Sequence, residues 1–179
     1  MTFKIENHSL EDFIIYWAKK YTYANGEKYT DNIGKPLSQE SRQELFEWKN
    51  GSKMSEQKFK SVDTNYPLAF SDNEDDQKYR YLNHEQNGGP IWNIFYLHCL
   101  NQERWPIFDQ HTFRAMSWLK TGEIQEIEDE KDIYKVYLEQ YIPFLKKVFP
   151  APLSKDRLRQ IDRALFAFGK FLKTAAKYL

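Results

Sequence analysis

Among 179 residues the sequence has a single cysteine, Cys99. One thiol excludes an intrachain disulfide, and it excludes any zinc or iron–sulfur site built from four cysteines of this chain. A chain without disulfides fits a reducing compartment, so the cytoplasm is the expected location. Long apolar runs are missing too. The hydrophobic stretches are too short, or too interrupted by charge, to cross a bilayer, and no membrane partner is expected. The segment from Met1 to His8 lacks the apolar run of a signal peptide. Neither charge is in excess, with 26 basic and 26 acidic residues, so no global field draws the protein onto a polyanion. The four histidines, His8, His84, His98 and His111, show no metal-ligand spacing, and His84 with Glu85 makes a poor pair because neighbours face different sides of a helix. No dinucleotide fingerprint, P-loop or nucleophile elbow is present. No metal or cofactor is expected, and neither repeats nor a convincing strand pattern are found.

Aromatic residues are abundant: 5 Trp, 12 Tyr and 13 Phe. At this length one domain with a sizeable core is expected, with two lobes as an option: residues 1–62 with the C-terminal helices, and residues 63–149. Helical periodicity dominates. Ser9 and Asp12 have capping-box spacing, and Leu10, Phe13, Ile14, Trp17 and Tyr21 follow on one face up to Asn25-Gly26. Residues 24–37 read as a loop. A helix from Ser38 carries Leu45, Phe46 and Trp48 and stops at Asn50-Gly51. The segment Trp48-Lys49-Asn50-Gly51 is distinctive but matches no recognised chemistry. A short helix follows from Ser55 to Val62. Asn65-Tyr66-Pro67 breaks structure, and Asp72, Glu74, Asp75 and Asp76 open a helix running to Asn83. Asn87-Gly88-Gly89-Pro90 is a tight turn, with Pro90 suited to the first position of an almost wholly apolar helix, Ile91 to about Leu100, a buried strand being the alternative that length disfavours. Gln110 to Lys120 is helical and stopped by Gly122. An acidic stretch, 123–132, leads into a helix that Pro143 should kink or break. Pro150-Ala151-Pro152 is a linker. Ser154 caps a last helix bearing Ile161, Leu165, Phe168 and Leu172. The fold class is all-α, with about eight helices.

Charge is unevenly placed. Residues 145–179 hold nine Lys and Arg against Asp156 and Asp162. That basic helix is either a nucleic-acid face or a solvated surface.

The richest stretch runs from Pro106 to Ser117. A β-branched and aromatic approach ends in Asp109, and a helix follows at once with His111 and Arg114 three residues apart. Asp109-Gln110-His111-Thr112-Phe113-Arg114 resembles the Asp-x-His-x-x-Arg signature of the helix-hairpin-helix DNA glycosylases. Asn87-Gly88-Gly89-Pro90 would be that family's hairpin turn, 20 residues before Asp109. Ala164 to Lys170 is similar to its Ala-Leu-x-x-x-Gly helix. The resemblance covers roughly residues 85–175.

It implies a helix-hairpin-helix bundle and a hydrolase acting in DNA repair. DNA would be the partner. The enzyme would be monofunctional, hydrolysing the N-glycosidic bond of a damaged or modified base held outside the stack. Asp109 would be the catalytic carboxylate. Asn87, Gly88 and Gly89 would hold a DNA phosphate through backbone N–H groups, with His111 and Arg114 as further DNA contacts. Trp92, Tyr96 and Trp105 would wall the base pocket. Three departures stand out. The glycines of the turn are adjacent rather than separated. Pro90-Ile91-Trp92-Asn93 offers no lysine for a lyase step. The family's iron–sulfur motif is absent.

Each residue also has a structural reading. Asp109 is a good N-cap in its own right. His111 can be a packed residue, Arg114 an ion-pair partner, Gly88 and Gly89 turn residues, and the three aromatics core. The alternative function is a non-catalytic relative of the same fold that binds nucleic acid or a protein partner.

Overall fold

The computed structural model describes residues 9–69, 74–150 and 153–175. Among these every regular element is helical. The expected all-α class, with about eight helices, is what is found. The elements are α1 (Leu10–Lys19), α2 (Gly26–Thr30), α3 (Gln39–Asn50), α4 (Glu56–Asn65), α5 (Glu74–Arg80), α6 (Pro90–Leu100), α7 (Gln110–Thr121), α8 (Ile133–Val136), α9 (Ile142–Val148) and α10 (Lys155–Ala175). The N-terminal segment up to His8, Asp72 of the acidic cluster, Ala151 and Pro152 of the linker, and Lys177 of the basic tail lie outside the described residues.

Contacts gather the helices into two compact units. One takes its described residues from 1–22, 109–128 and 141–179; the other spans 23–108 and 129–140. The division differs from the lobes expected at residues 62 and 149. Residues 23–62 go with 63–108, and the Asp109 helix goes with the two terminal helices.

In the first unit α10 is the element on which both α1 and α7 pack. Ser9 and Asp12 form the expected capping box, with the Ser9 hydroxyl accepting from the Asp12 N–H at 3.1 Å and the Asp12 carboxylate accepting from the Ser9 N–H at 3.1 Å. Phe13 and Trp17 meet Phe168 with ring centres 5.0 Å apart in each case. Ile161, Leu165, Phe168 and Leu172 of α10 are all buried, as their spacing predicts. Leu10, placed by periodicity on the α1 stripe with Phe13, Ile14 and Trp17, is exposed instead. α1 ends at Lys19, short of Asn25.

In the second unit the stretch expected to be a loop contains a turn of helix, α2. Asn25 precedes it in the left-handed region at φ 54° without a side-chain cap. Tertiary bonding holds it instead. His98 donates from Nδ1 to the Trp105 carbonyl at 2.8 Å, so its Nε2 accepts from the Tyr29 hydroxyl at 2.7 Å. Two buried polar rings are thereby satisfied. Gly51 ends α3 at φ 74°, as expected. The Trp48 segment is accounted for locally: Trp48 is buried, and the Tyr23 hydroxyl donates to the Lys49 carbonyl at 3.3 Å. α4 runs three residues past Val62, and α5 stops at Arg80 rather than Asn83.

Pro143 acts one turn before itself. It has no N–H for the Glu139 carbonyl, and its ring crowds that turn. The chain widens there into a π-helical turn, Tyr137–Tyr141, and then resumes as α9 with proline in its first turn.

Candidate functional site at the head of helix α7

Asp109 precedes α7 in fully extended backbone (φ −161°, ψ −178°). Its Oδ1 accepts from the backbone N–H of His111 at 2.9 Å and of Thr112 at 3.0 Å. Thr112 returns the contact, its hydroxyl oxygen accepting from the Asp109 N–H at 3.0 Å. This is a capping box with threonine where glutamate is usual, and Thr112 is fully buried beneath it. The carboxylate is half-buried and fixed in direction, and it sits at the positive end of a 12-residue helix.

His111 and Arg114 lie one turn on, facing each other. Arg114 donates from Nη1 to His111 Nδ1 at 2.9 Å. A guanidinium only donates, so this nitrogen carries the lone pair and the ring proton is on Nε2. The ring also bonds to the Gly169 backbone and meets the edge of Phe166 at 4.8 Å. Burial, more than any other influence, pushes the His111 pKa down. The Asp109 charge opposes the shift and the Arg114 charge adds to it. The imidazole is therefore a neutral, oriented spacer.

Arg114 is 4 % exposed, and its Nε donates to Glu126. Gln110 donates to the other oxygen of the same carboxylate. Burial alone would raise the Glu126 pKa, but the hydrogen bonds from Arg114 and Gln110 hold it below the usual carboxylate range. The phosphate contact expected of Arg114 does not fit this arrangement. Its guanidinium is buried and committed to Glu126 and His111, because a buried charge must be paired.

Gly169 closes the site from behind. A Cβ at that position of α10 would stand 1.8 Å from the His111 carbonyl oxygen and 2.5 Å from its carbon. Only glycine lets the two helix backbones approach this closely.

The other expected site residues lie in the second unit. Asn87, Gly88 and Gly89 are exposed. Gly88 has φ +100°, and a Cβ there would fall 2.2 Å from the Tyr66 hydroxyl and 2.9 Å from Asn93 Oδ1. Asn93 is fully buried, accepting from the Tyr66 hydroxyl at 2.9 Å and donating to the Tyr134 hydroxyl at 2.7 Å. The turn is thus held from beneath by a satisfied polar chain, and it is Gly88 that this support requires to be glycine. The Gly89 carbonyl accepts from the N–H groups of Trp92 and Asn93, and no side chain caps α6.

Trp92 is half-buried against Phe46, with ring centres 5.3 Å apart. Tyr96 has no exposed surface. Its hydroxyl donates to the Pro67 carbonyl at 2.6 Å, its ring packs on Tyr66 and Tyr81, and burial pushes its phenol well up. Trp105 is buried with no partner for its Nε1, and the Arg104 guanidinium lies 5.0 Å from its ring centre. Tyr96 and Trp105 are therefore packed side chains rather than open walls, and of the three only Trp92 presents part of its ring.

Sequence reasoning missed Gln110, Glu126 and Phe166. Their signal was weak. Gln110 and Glu126 are ordinary surface residue types, and 16 positions separate them. Among the described residues no cluster of His, Cys, Asp and Glu could hold a metal ion, and no helix is long and apolar enough to cross a membrane. No family model, curated protein or solved structure matches the chain.

Proposed function

We propose that this chain is a monofunctional DNA glycosylase-like protein that hydrolyses the N-glycosidic bond of a damaged or modified base, with Asp109 as the reacting carboxylate. One observation carries the reading: a half-exposed carboxylate, aimed by two backbone N–H donors at a helix head, beside an imidazole already committed to Arg114 and Gly169. The helix terminus favours the ionised form, which the chemistry needs. As the bond between C1′ and the base nitrogen lengthens, its electron pair leaves with the base. Positive charge grows on the sugar, and the Asp109 carboxylate opposes it across a short distance. A water then adds its oxygen to C1′ and gives a proton to Asp109, while the departing base takes a proton from solvent. His111 and Arg114 position the helix head.

The test is release of free base from DNA carrying a range of damaged and modified bases. Asn is as good an N-cap as Asp, so Asp109→Asn keeps the helix head and removes the charge. Wild-type protein is expected to release at least one base, and Asp109→Asn to lower the rate by roughly a hundredfold or more. No release from any substrate, or full activity in Asp109→Asn, overturns the proposal and leaves Asp109 as a cap in a non-catalytic protein.

A further inference from the structure

We infer that the C-terminal half of α1 and the end of α10 form a stacking surface for single-stranded nucleic acid, independent of Asp109. Adjoining exposed apolar side chains mark interaction sites, whereas scattered ones are ordinary. Among the described residues of the first unit, the large apolar side chains left exposed are Leu10, Ile15, Tyr16 and Phe171, all on α1 and α10. Tyr16 is 55 % and Phe171 51 % exposed. They are not isolated: Trp17 lies between them, with ring centres 5.3 Å from Tyr16 and 5.1 Å from Phe171. Behind it Phe168 fixes the indole at 5.0 Å. The result is three adjoining rings backed by Phe168, with Tyr16 and Phe171 the most exposed of them.

The charge around the row selects the partner. From Phe13 to Lys20, and from Ala164 to Ala175, the chain has no Asp or Glu. Over the same spans Lys19, Lys20 and Lys170 are exposed, and the Lys20 ammonium lies 5.5 Å from the centre of the Tyr16 ring. The first-turn acids of α1 are otherwise engaged, Glu11 by Arg157 and Asp12 in the cap. A second copy docked on this face would set lysines against lysines. A strand of nucleic acid instead matches both features, phosphates on the ammonium groups and unstacked bases on the rings. Duplex DNA keeps its bases stacked and can use only the lysines. The fit to aromatic faces therefore singles out a single strand.

The experiment is fluorescence anisotropy with labelled oligothymidylate, oligouridylate and a duplex, titrated with the full chain at several salt concentrations. Binding of either single strand, tighter than the duplex and weakening with salt, is expected. Tyr16→Ala and Phe171→Ala should each weaken it by about tenfold. Lys20→Glu with Lys170→Glu leaves the rings in place and should weaken it as well, which guards against loss through misfolding. Affinity unchanged in both sets, preference for the duplex, or binding only to phosphatidylserine vesicles overturns the inference. The readout here is binding of undamaged strands, whereas the other test reads release of a base from damaged DNA, so the two tests fail separately.

Discussion

One glycine and two titratable side chains show how single residues set the site. Gly169 lies inside a long helix, where glycine ordinarily costs about 1 kcal/mol relative to alanine. It is tolerated because its missing Cβ is the space taken by the His111 backbone. Gly169→Ala should therefore destabilise the protein by at least ~1–3 kcal/mol, the usual cost of overpacking, despite improving helix propensity. A urea titration showing an unchanged or higher midpoint would refute the close approach. His111 carries a pH signature. Its folded pKa is depressed, so the unfolded chain binds the proton more readily. The stability it contributes is full above the unfolded value of about 6.5 and falls as pH drops toward the folded value. Glu126, also depressed, loses its contribution at lower pH, where its carboxylate takes up a proton. Unfolding midpoints measured from pH 7.5 to 5 should decline, and His111→Asn, which keeps an acceptor for Arg114 but does not titrate, should flatten that slope. An identical slope in the variant would show that His111 does not titrate on folding.

At the scale of elements, caps and stops were legible and tertiary-held turns were not. Ser9, Ser38, Ser55, Asp109 and Ser154 each accept from a backbone N–H at a helix start, and Gly51 and Gly122 each end a helix in left-handed backbone. These are local chemistry, written in adjacent residues. α2 escaped because its stability comes from His98, 69 residues away, and not from its own five residues. Pro143 is expected to kink or break its helix, and the backbone answers with a π turn before it, a response that periodicity does not encode. For the site, Asp109, His111 and Arg114 could be placed from their spacing, but the burial of Arg114 by Glu126 could not, since that pairing depends on how the chain returns after Gly122. The cap itself is testable apart from any chemistry. Asp109→Ala should cost ~0.5–2 kcal/mol, whereas Asp109→Asn should cost little. Equal losses in thermal denaturation would mean that charge, not hydrogen bonding, holds the helix head.

On the scale of the molecule, the order of segments matters more than any one contact. The first unit is assembled from three stretches of chain, and the last supplies α10, on which both α1 and α7 pack. α1 has ten residues and α7 twelve, lengths at which an isolated helix is marginal in water. Their apolar faces are stabilised only once α10 is present: Phe13 and Trp17 need Phe168, and Trp118 meets the same ring at 5.2 Å. One phenylalanine thus joins three helices. Ending the chain after Pro150 should leave α1 and α7 without a partner, so their amides should exchange in hydrogen–deuterium measurements as fast as in an unfolded chain. Phe168→Ala, a smaller change, should cost ~3–5 kcal/mol, in the range of buried aromatic truncations, and should raise exchange in α1 and α7 together. Were only one of the two helices to respond, Phe168 would be packing against that helix alone, and the head of α7 would owe its position to Gly169 and its own cap.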